Sequence, residues 1–430
     1  MATAIPPPPA ETAEGHAQQP APEGPQAPNV ASGQAPVPLF SGDRDPDDLV
    51  ETQKTLTLKE KVQAFRARYA TAEMAAFFFA GFLYDVFTLS RIDDGLSQVQ
   101  QGAYLTLLGT LLCLEQRWSG DVKPSGWLAK GWRFSEDVLH FFFGSLLSTF
   151  VLFFFKSASG FSSLLFLLVV FGLLVVNELP RFRAMGPVVR VALFSFCITS
   201  YFAYVLPVAF HKVNAWLFLS AVVLGCGAVT GLFFVVRRWN QGDPATVFRR
   251  IAVPGLAVQG GLLLLYLLNV IPPVPLALQH IGIYHHVEVV KGPEGKDYLL
   301  SHERPDWKYW HHGDQDFHAR PGDKAWCFVR IFAPAGFQDR ITFRWSYDDP
   351  HKGWVERSKF STALRAGWGE RGFRTMASQS YLSPGDWRVS VETEDGREIG
   401  NMSFTVIPDG RTGERKFKVD MDKGKPPAGK

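Results

Sequence analysis

The chain has 430 residues, 47% of them hydrophobic, and a formal net charge of +3. That length admits two or three folded units, and without a basic stripe the charge gives no footing for a nucleic-acid partner. Four cysteines without a Cys-x-x-Cys pair leave no basis for thiol redox chemistry or cysteine-ligated zinc.

Residues 1–50 lack the basic start and apolar core of a signal peptide. They are rich in Pro, Ala, Gln and Gly, from Pro6-Pro7-Pro8-Pro9 onward. Such a segment buries too little apolar surface to offset its ordering entropy, and is expected to be a disordered cytoplasmic region. Residues 51–71 form a juxtamembrane segment. Within it Leu58, Val62, Phe65 and Tyr69 share a helical face, and Lys59, Lys61, Arg66 and Arg68 supply positive charge. This suits an amphipathic helix on an anionic leaflet, or the solvated start of the first span.

Apolar stretches follow near 72–90, 99–115, 137–155, 161–178, 187–208, 214–236 and 251–271. Most approach the roughly 20 residues that cross a bilayer's hydrocarbon core. Many of the 36 Phe fall in runs such as Phe141-Phe142-Phe143 and Phe153-Phe154-Phe155. A soluble core rarely takes three consecutive Phe, whereas in lipid every helix face is free to be apolar. Alternate loops carry about sixteen Lys and Arg against three, the three being Arg91, Lys156 and Lys212. By the positive-inside rule this places the N-terminus in the cytoplasm and, with seven spans, residues after 271 outside it. The prolines of Ile271-Pro272-Pro273-Val274-Pro275 stop the last helix.

From about 279 the apolar period changes to two, the mark of half-buried strands. Ile281, Ile283, Val287 and Val289 alternate, as do Ile341, Phe343, Trp345 and Tyr347. Cys327, Val329 and Ile331 face one way, and Trp326, Phe328 and Phe332 the other. Trp387, Val389 and Val391 lead to Asp395-Gly396, a tight-turn signal, and Met402, Phe404 and Val406 return. About seven short strands in 276–410 predict an antiparallel, immunoglobulin-like sandwich, with 411–430 a polar tail. The expected architecture is an α-helical polytopic membrane bundle of about seven spans followed by an all-β sandwich-like domain. Cys327 is alone in that domain, so no internal disulfide forms there.

The stretch Gly372-Phe373-Arg374-Thr375, Ser378, Pro384-Gly385-Asp386-Trp387-Arg388-Val389, then Asp395-Gly396 and Phe404-Thr405-Val406, resembles the C-terminal domain of bacterial multispan proteins in the domain-of-unknown-function family 2914. Trp345-Ser346-Tyr347 fits the same pattern. Tyr84-Asp85 and Arg91-Ile92-Asp93-Asp94 extend the resemblance loosely into the helical part. The resemblance implies a bacterial inner-membrane and envelope setting; it transfers no activity and no functional residues.

Candidate chemistry falls in three groups. Intramembrane polar residues are Asp85, His140 and Glu178, where a charge is costly and often functional. Each has a plainer reading: Asp85 hydrated at an interface, Asn177 and Glu178 in a boundary ion pair with Arg181, His140 and Gln259 hydrogen-bonded in packing. Gly227 and Gly231 form a G-x-x-x-G, read as internal helix packing ahead of dimerisation. Eight of the eleven His lie in the C-terminal domain, and His311, His312 and His318, with Asp314 and Asp316, could converge on a divalent transition metal, against a plain His-rich surface. Trp307, Tyr309, Trp310, Trp354 and Trp368 could stack on sugar rings, rest on lipid headgroups, or close the sandwich ends.

No nucleophile elbow, P-loop or dinucleotide fingerprint is present. Three readings stand. The favoured one is a non-catalytic membrane protein presenting a binding or sensing module to an envelope glycan or protein. The others are a transporter or membrane enzyme working through the bundle, and a metal-binding envelope domain.

Overall fold

The computed structural model describes residues 92, 94–118, 123–158, 161–178, 186–239, 243–292, 295–365 and 372–423. The expected disordered segment, juxtamembrane helix and first span, with Asp85, lie outside them, as does Trp368.

The helical part comprises α1 (Gly95–Trp118), α2 (Trp127–Trp132), α3 (Ser135–Ser157), α4 (Phe161–Glu178), α5 (Pro187–Phe210), α6 (Ala215–Trp239) and α7 (Pro244–Leu267). Among the described residues, four of these, α3, α5, α6 and α7, are long and apolar enough to cross a membrane. The expectation of seven spans is not carried. Helix α1 has the length, but Gln98, Gln100, Gln101, Glu115 and Gln116 make it too polar. Helix α4 is strongly apolar but has 18 residues, short of the roughly 20 that cross a bilayer's hydrocarbon core. The last span starts and ends earlier than 251–271: Asp243 caps Ala245 N–H, Pro244 opens the helix, and left-handed Asn269 (φ 55°) follows its end.

Helix α3 is central, with 67% of its apolar window buried, while α6 and α7 are peripheral at 33% and 28%. Their outer faces remain apolar, with Val223, Leu224, Phe234, Leu256 and Leu264 all exposed. Helices apolar all round match a lipid surround and would be poorly soluble in water. Polar groups turn inward and pair. Gln259 Nε2 donates to Ser195 Oγ (2.8 Å), Thr199 Oγ1 donates to Gln259 Oε1 (2.8 Å), and Ser195 Oγ donates to the Gly255 carbonyl (2.7 Å), tying α5 to α7. Gly225 lets α6 approach this cluster, since a Cβ there would strike Thr199 and Gln259. Arg190 pairs with Glu115 and, at 3.0 Å, with Glu136, joining α5, α1 and α3. Gly227 and Gly231 correct the packing expectation: both face outward, and a Cβ at either would meet nothing.

The C-terminal part is β-rich, with eleven strands among the described residues where about seven were expected. They are β1 (Ala277–Tyr284), β2 (His286–Gly292), β3 (Gly295–His302), β4 (Asp316–Ala319), β5 (Ala325–Phe332), β6 (Gln338–Asp349), β7 (Gly353–Arg365), β8 (Phe373–Gln379), β9 (Gly385–Thr393), β10 (Glu398–Pro408) and β11 (Lys418–Asp422). A five-stranded sheet, β4-β10-β9-β6-β7, faces a three-stranded sheet, β1-β5-β8. Their shared core holds Phe343, Trp345, Trp387, Phe404, Cys327 and Ile331. Strand β5 presents Phe328 to a second core with Tyr284, Val287, Tyr298 and Leu300, over the small sheet β11-β3-β2. The sandwich thus gains a third layer, and β4 pairs with β10 in parallel, so the expected purely antiparallel pattern does not hold. The expected polar tail contributes β11, paired with β3.

The β domain and the described bundle belong to one compact unit. Its β9–β10 turn, with Gly396 at φ +81°, brings Asp395 to the bundle, where it accepts a hydrogen bond from Tyr266 Oη at 3.0 Å. Arg397 lies over the Tyr266 ring, which stacks on Phe218 at 4.0 Å. After α5, left-handed His211 turns the chain, its carbonyl accepts Gln338 N–H, and Val213 N–H donates to Asp339. Val213 is buried in the sandwich core, and Phe332 packs on the bundle core.

Candidate functional site

The loop between β3 and β4 carries the most conspicuous exposed aromatic group. Pro305, extended at φ −70°, starts a single 3₁₀ turn over Asp306–Lys308. The tip then holds Trp307 (63% exposed), Tyr309 (79%) and Trp310 (56%). Their rings sit edge-to-face, Trp307–Trp310 at 5.9 Å and Tyr309–Trp310 at 5.1 Å, and Lys308 Nζ lies 5.3 Å from the Trp307 ring. Apolar ring faces beside a cation form a surface on which a sugar ring could stack.

Both ends of the loop are fixed. Gly313 (φ +71°) forms a bridge to Ile283, and any Cβ there would collide with the Ile283 backbone. Asp314 N–H donates to the Ile283 carbonyl at 2.7 Å, and the Asp314 carboxylate accepts Glu303 N–H at 2.8 and 3.0 Å. Arg304 donates to the His311 carbonyl, Lys308 pairs with Asp316, and Lys418 of β11 pairs with Asp306.

Beneath the loop is a buried acid–base couple. Asp314 is 4% exposed and His285 9%, with Asp314 Oδ2 and His285 Nε2 3.6 Å apart. Burial pushes the Asp314 carboxyl up to about 7, against the lowering effect of the Glu303 N–H. Burial and then the nearby Arg415 push the His285 imidazole down to about 4. The His285 ring stacks on Phe317 at 4.1 Å and meets Phe417 at 5.0 Å. The C-terminal strap that delivers Phe417 is pinned by Asp409 to Arg320, Arg411 to Glu303 and Arg415 to Asp323.

The structure separates several residues that sequence spacing placed together. His311 stays with the aromatic tip, at 5.8 Å from Trp310, whereas His312 turns to the His280 ring at 4.6 Å. His318 lies in β4, its Nδ1 3.8 Å from Glu303. Among the described residues no group of three or more His, Cys, Asp or Glu is arranged to hold a metal ion. Asp314 spends its oxygens on Glu303, and Asp316 on Lys308. Trp354 starts β7, at the opposite edge of the five-stranded sheet from β4, where Arg388 covers its ring at 4.2 Å. Four strand spacings, about 19 Å, separate those edges.

In the bundle, His140 Nδ1 lies 3.3 Å from Asn177 Oδ1, and Asn177 Nδ2 donates to the His140 carbonyl, which links α3 to α4; Arg181, of the expected boundary pair, lies outside the described residues. Glu178 ends α4. The Asp314 anchor and the strap escaped sequence reasoning. The period-two run Phe417, Val419, Met421 was the available signal for β11.

The fold defines a class: a helical bundle, four of whose helices are long and apolar enough to cross a membrane, carrying a layered β domain without an evident catalytic constellation among the described residues. The model of the family described as "Protein of unknown function (DUF2914)" matches residues 338–406, which run from β6 to β10. The chain therefore carries a DUF2914 region, as the Pro384-Gly385-Asp386-Trp387 stretch indicated; the helices lie outside the match. No curated protein matches the sequence. Among solved structures, an immunoglobulin-like protein from Pseudomonas aeruginosa is 16% identical, covering 28% of this chain and 97% of its own, with a TM-score of 0.18. The alkylpurine DNA glycosylase AlkC of Pseudomonas fluorescens is 11% identical, covering 74% of this chain and all of its own, with a TM-score of 0.20. At these scores neither likeness bears on fold or function.

Proposed function

We propose that the protein is a non-catalytic, multi-pass protein of the bacterial inner membrane that presents its β domain, outside the cytoplasm, as a binding or sensing module for an envelope glycan. The observation that carries this reading is the rigidly held loop with Trp307, Tyr309 and Trp310 facing outward. Exposing three large rings costs apolar hydration, and a surface that keeps them exposed on a fixed frame is preorganised for a partner. The orientation rests on loop charge. Arg237, Arg238, Arg249 and Arg250 gather where α6 ends and α7 begins, which favours a cytoplasmic position for that connection. The β domain follows the other end of α7. The four apolar helices and the DUF2914 region fit the envelope setting.

The test uses the full chain in detergent micelles, titrated with a panel of envelope oligosaccharides and read by tryptophan fluorescence. A saccharide ligand should bind, and Trp310→Ala should weaken it at least about fivefold, the equivalent of roughly 1 kcal/mol of ring contact. Binding that Trp310→Ala and Trp307→Ala leave unchanged, or no binding across the panel, refutes the glycan reading. For orientation, Thr412→Cys in the exposed strap should react with a membrane-impermeant maleimide in spheroplasts; protection until lysis refutes it.

A further inference from the structure

A half-open cleft of about 670 Å³ lies where α3 meets the β domain. Phe153 and Ser157 of α3, Pro275, Leu278 of β1 and Phe332 of β5 line it, with Ile92 at one side. Its volume falls within the range of roughly 300–1,000 Å³ common to small-molecule sites. Helix α3 has 23 residues, about 35 Å at 1.5 Å per residue, so as a spanning helix its last turn stands at the edge of the roughly 30 Å hydrocarbon layer. At that edge Phe155 is 61% exposed, and Lys156, also exposed, sits at the mouth of the cleft. Among the described residues Lys156 has no carboxylate partner.

The hollow is open at the level of the headgroups, and its wall of Phe153, Leu278 and Phe332 suits an acyl chain, while Ser157 and Gln279 give the same cleft a polar side that suits a headgroup. A lysine at the same opening, without a carboxylate partner among the described residues, is complementary to a phosphate. We propose that this cleft binds an anionic phospholipid of the surrounding bilayer, with an acyl chain against Phe153, Leu278 and Phe332 and the phosphate beside Lys156. The site rests on the reading of α3 as a spanning helix and is separate from the aromatic loop.

The test takes the full chain, purified in mild detergent, and measures by native mass spectrometry the retention of phosphatidylglycerol against phosphatidylcholine. The native chain should prefer phosphatidylglycerol about fivefold, which corresponds to about 1 kcal/mol. Lys156→Gln should abolish the preference while leaving phosphatidylcholine binding in place, and Ala158→Trp, which fills the cleft, should reduce both. Equal retention of the two lipids by the native chain, or a preference that survives Lys156→Gln, overturns the proposal. Lys156 is exposed, so that variant keeps the test decisive even where Ala158→Trp does not fold. A protein recovered from lysed cells in the aqueous fraction, without detergent, overturns the spanning reading itself.

Discussion

The buried couple of Asp314 and His285 makes a prediction whose sign differs between its two members. An aspartate in an open loop titrates near 3.8, whereas Asp314 in the closed loop keeps its proton to about 7. Below pH about 4 both states are protonated and closure has its full stability. Between pH 4 and 7 only the open state has released its proton, so closure weakens by about 1.4 kcal/mol per pH unit, at most about 4 kcal/mol in total. His285 runs the other way. Its imidazole charges near 6.5 when open and near 4 when closed, so closure strengthens as pH rises from 4 to 6.5, by at most about 3 kcal/mol. The two slopes oppose each other, and the native loop should respond weakly to pH from 4 to 6.5. Arg304, Glu303, Arg415, Asp323 and His318 also face the couple.

Single substitutions should unmask each slope. In Asp314→Asn, closure should strengthen with rising pH up to about 6.5, the His285 signature. In His285→Phe, whose ring fits between Phe317 and Phe417, closure should weaken from pH 4 to 7. Hydrogen exchange of residues 303–314 in the full chain, corrected for intrinsic rates, reads the closure free energy directly. Slopes of the same sign in the two variants, or profiles matching the native one, would sink the assignment of the couple.

Three further outcomes follow from the geometry. Gly313→Ala should release the aromatic loop, since a left-handed Ala costs roughly 1–2 kcal/mol and its Cβ must displace the Ile283 backbone; faster exchange at Glu303 checks it, and unchanged exchange contradicts it. Tyr266→Phe should lower the stability of the full chain by about 1 kcal/mol, Asp395→Ala by more, since that carboxylate also accepts from Thr393 and Arg397, and the double variant by no more than Asp395→Ala alone, because the Tyr266–Asp395 hydrogen bond is lost only once; additive melting-point losses would show that the two do not act as a pair. Gln259→Leu should cost about 1 kcal/mol of bundle stability, in line with the modest worth of interhelical hydrogen bonds; unchanged thermal denaturation in detergent would remove the Ser195–Thr199–Gln259 cluster as a clamp.

Much of the domain was legible because one physical rule governed each stretch. Strand β5 is the clearest instance. Its alternation predicted two faces, and Cys327, Val329 and Ile331 do face one core while Phe328 faces another. Phe332 broke the pattern because the last residue of β5 meets the bundle. Asp395-Gly396 turned as read, since a residue at φ +81° favours glycine strongly. What failed was non-local. The run Ile281, Ile283, Val287, Val289 reads as one strand, yet the chain breaks at His285 because β2 pairs with β3 and β1 with β5. Residues 99–115 of α1 read as apolar, yet Gln100, Gln101 and Glu115 within the stretch and Gln98, Gln116 and Arg117 beside it lower the apolarity of the whole helix.

Spacing alone put His311, His312 and His318 together, and the fold sends them to different surroundings. His311, His312, Asp314, Asp316 and His318 lie within eight consecutive positions, and free lone pairs on all of them would favour an ion. A lone pair is available to a metal only when no backbone N–H or cation has already taken it. The turn after β3 leaves Glu303 N–H pointing inward, and a buried amide without a partner costs more than the carboxylate that satisfies it. Asp314 is drawn under the loop for that reason, and His312 is carried to the opposite side, against His280. The same anchoring leaves Trp307, Tyr309 and Trp310 no interior to enter, because the loop floor is already occupied by His285, Asp314 and Phe317. Exposure of the aromatic trio is thus a consequence of the buried carboxylate, which ties a stacking surface and the absence of a metal cluster among the described residues to a single backbone hydrogen-bond requirement.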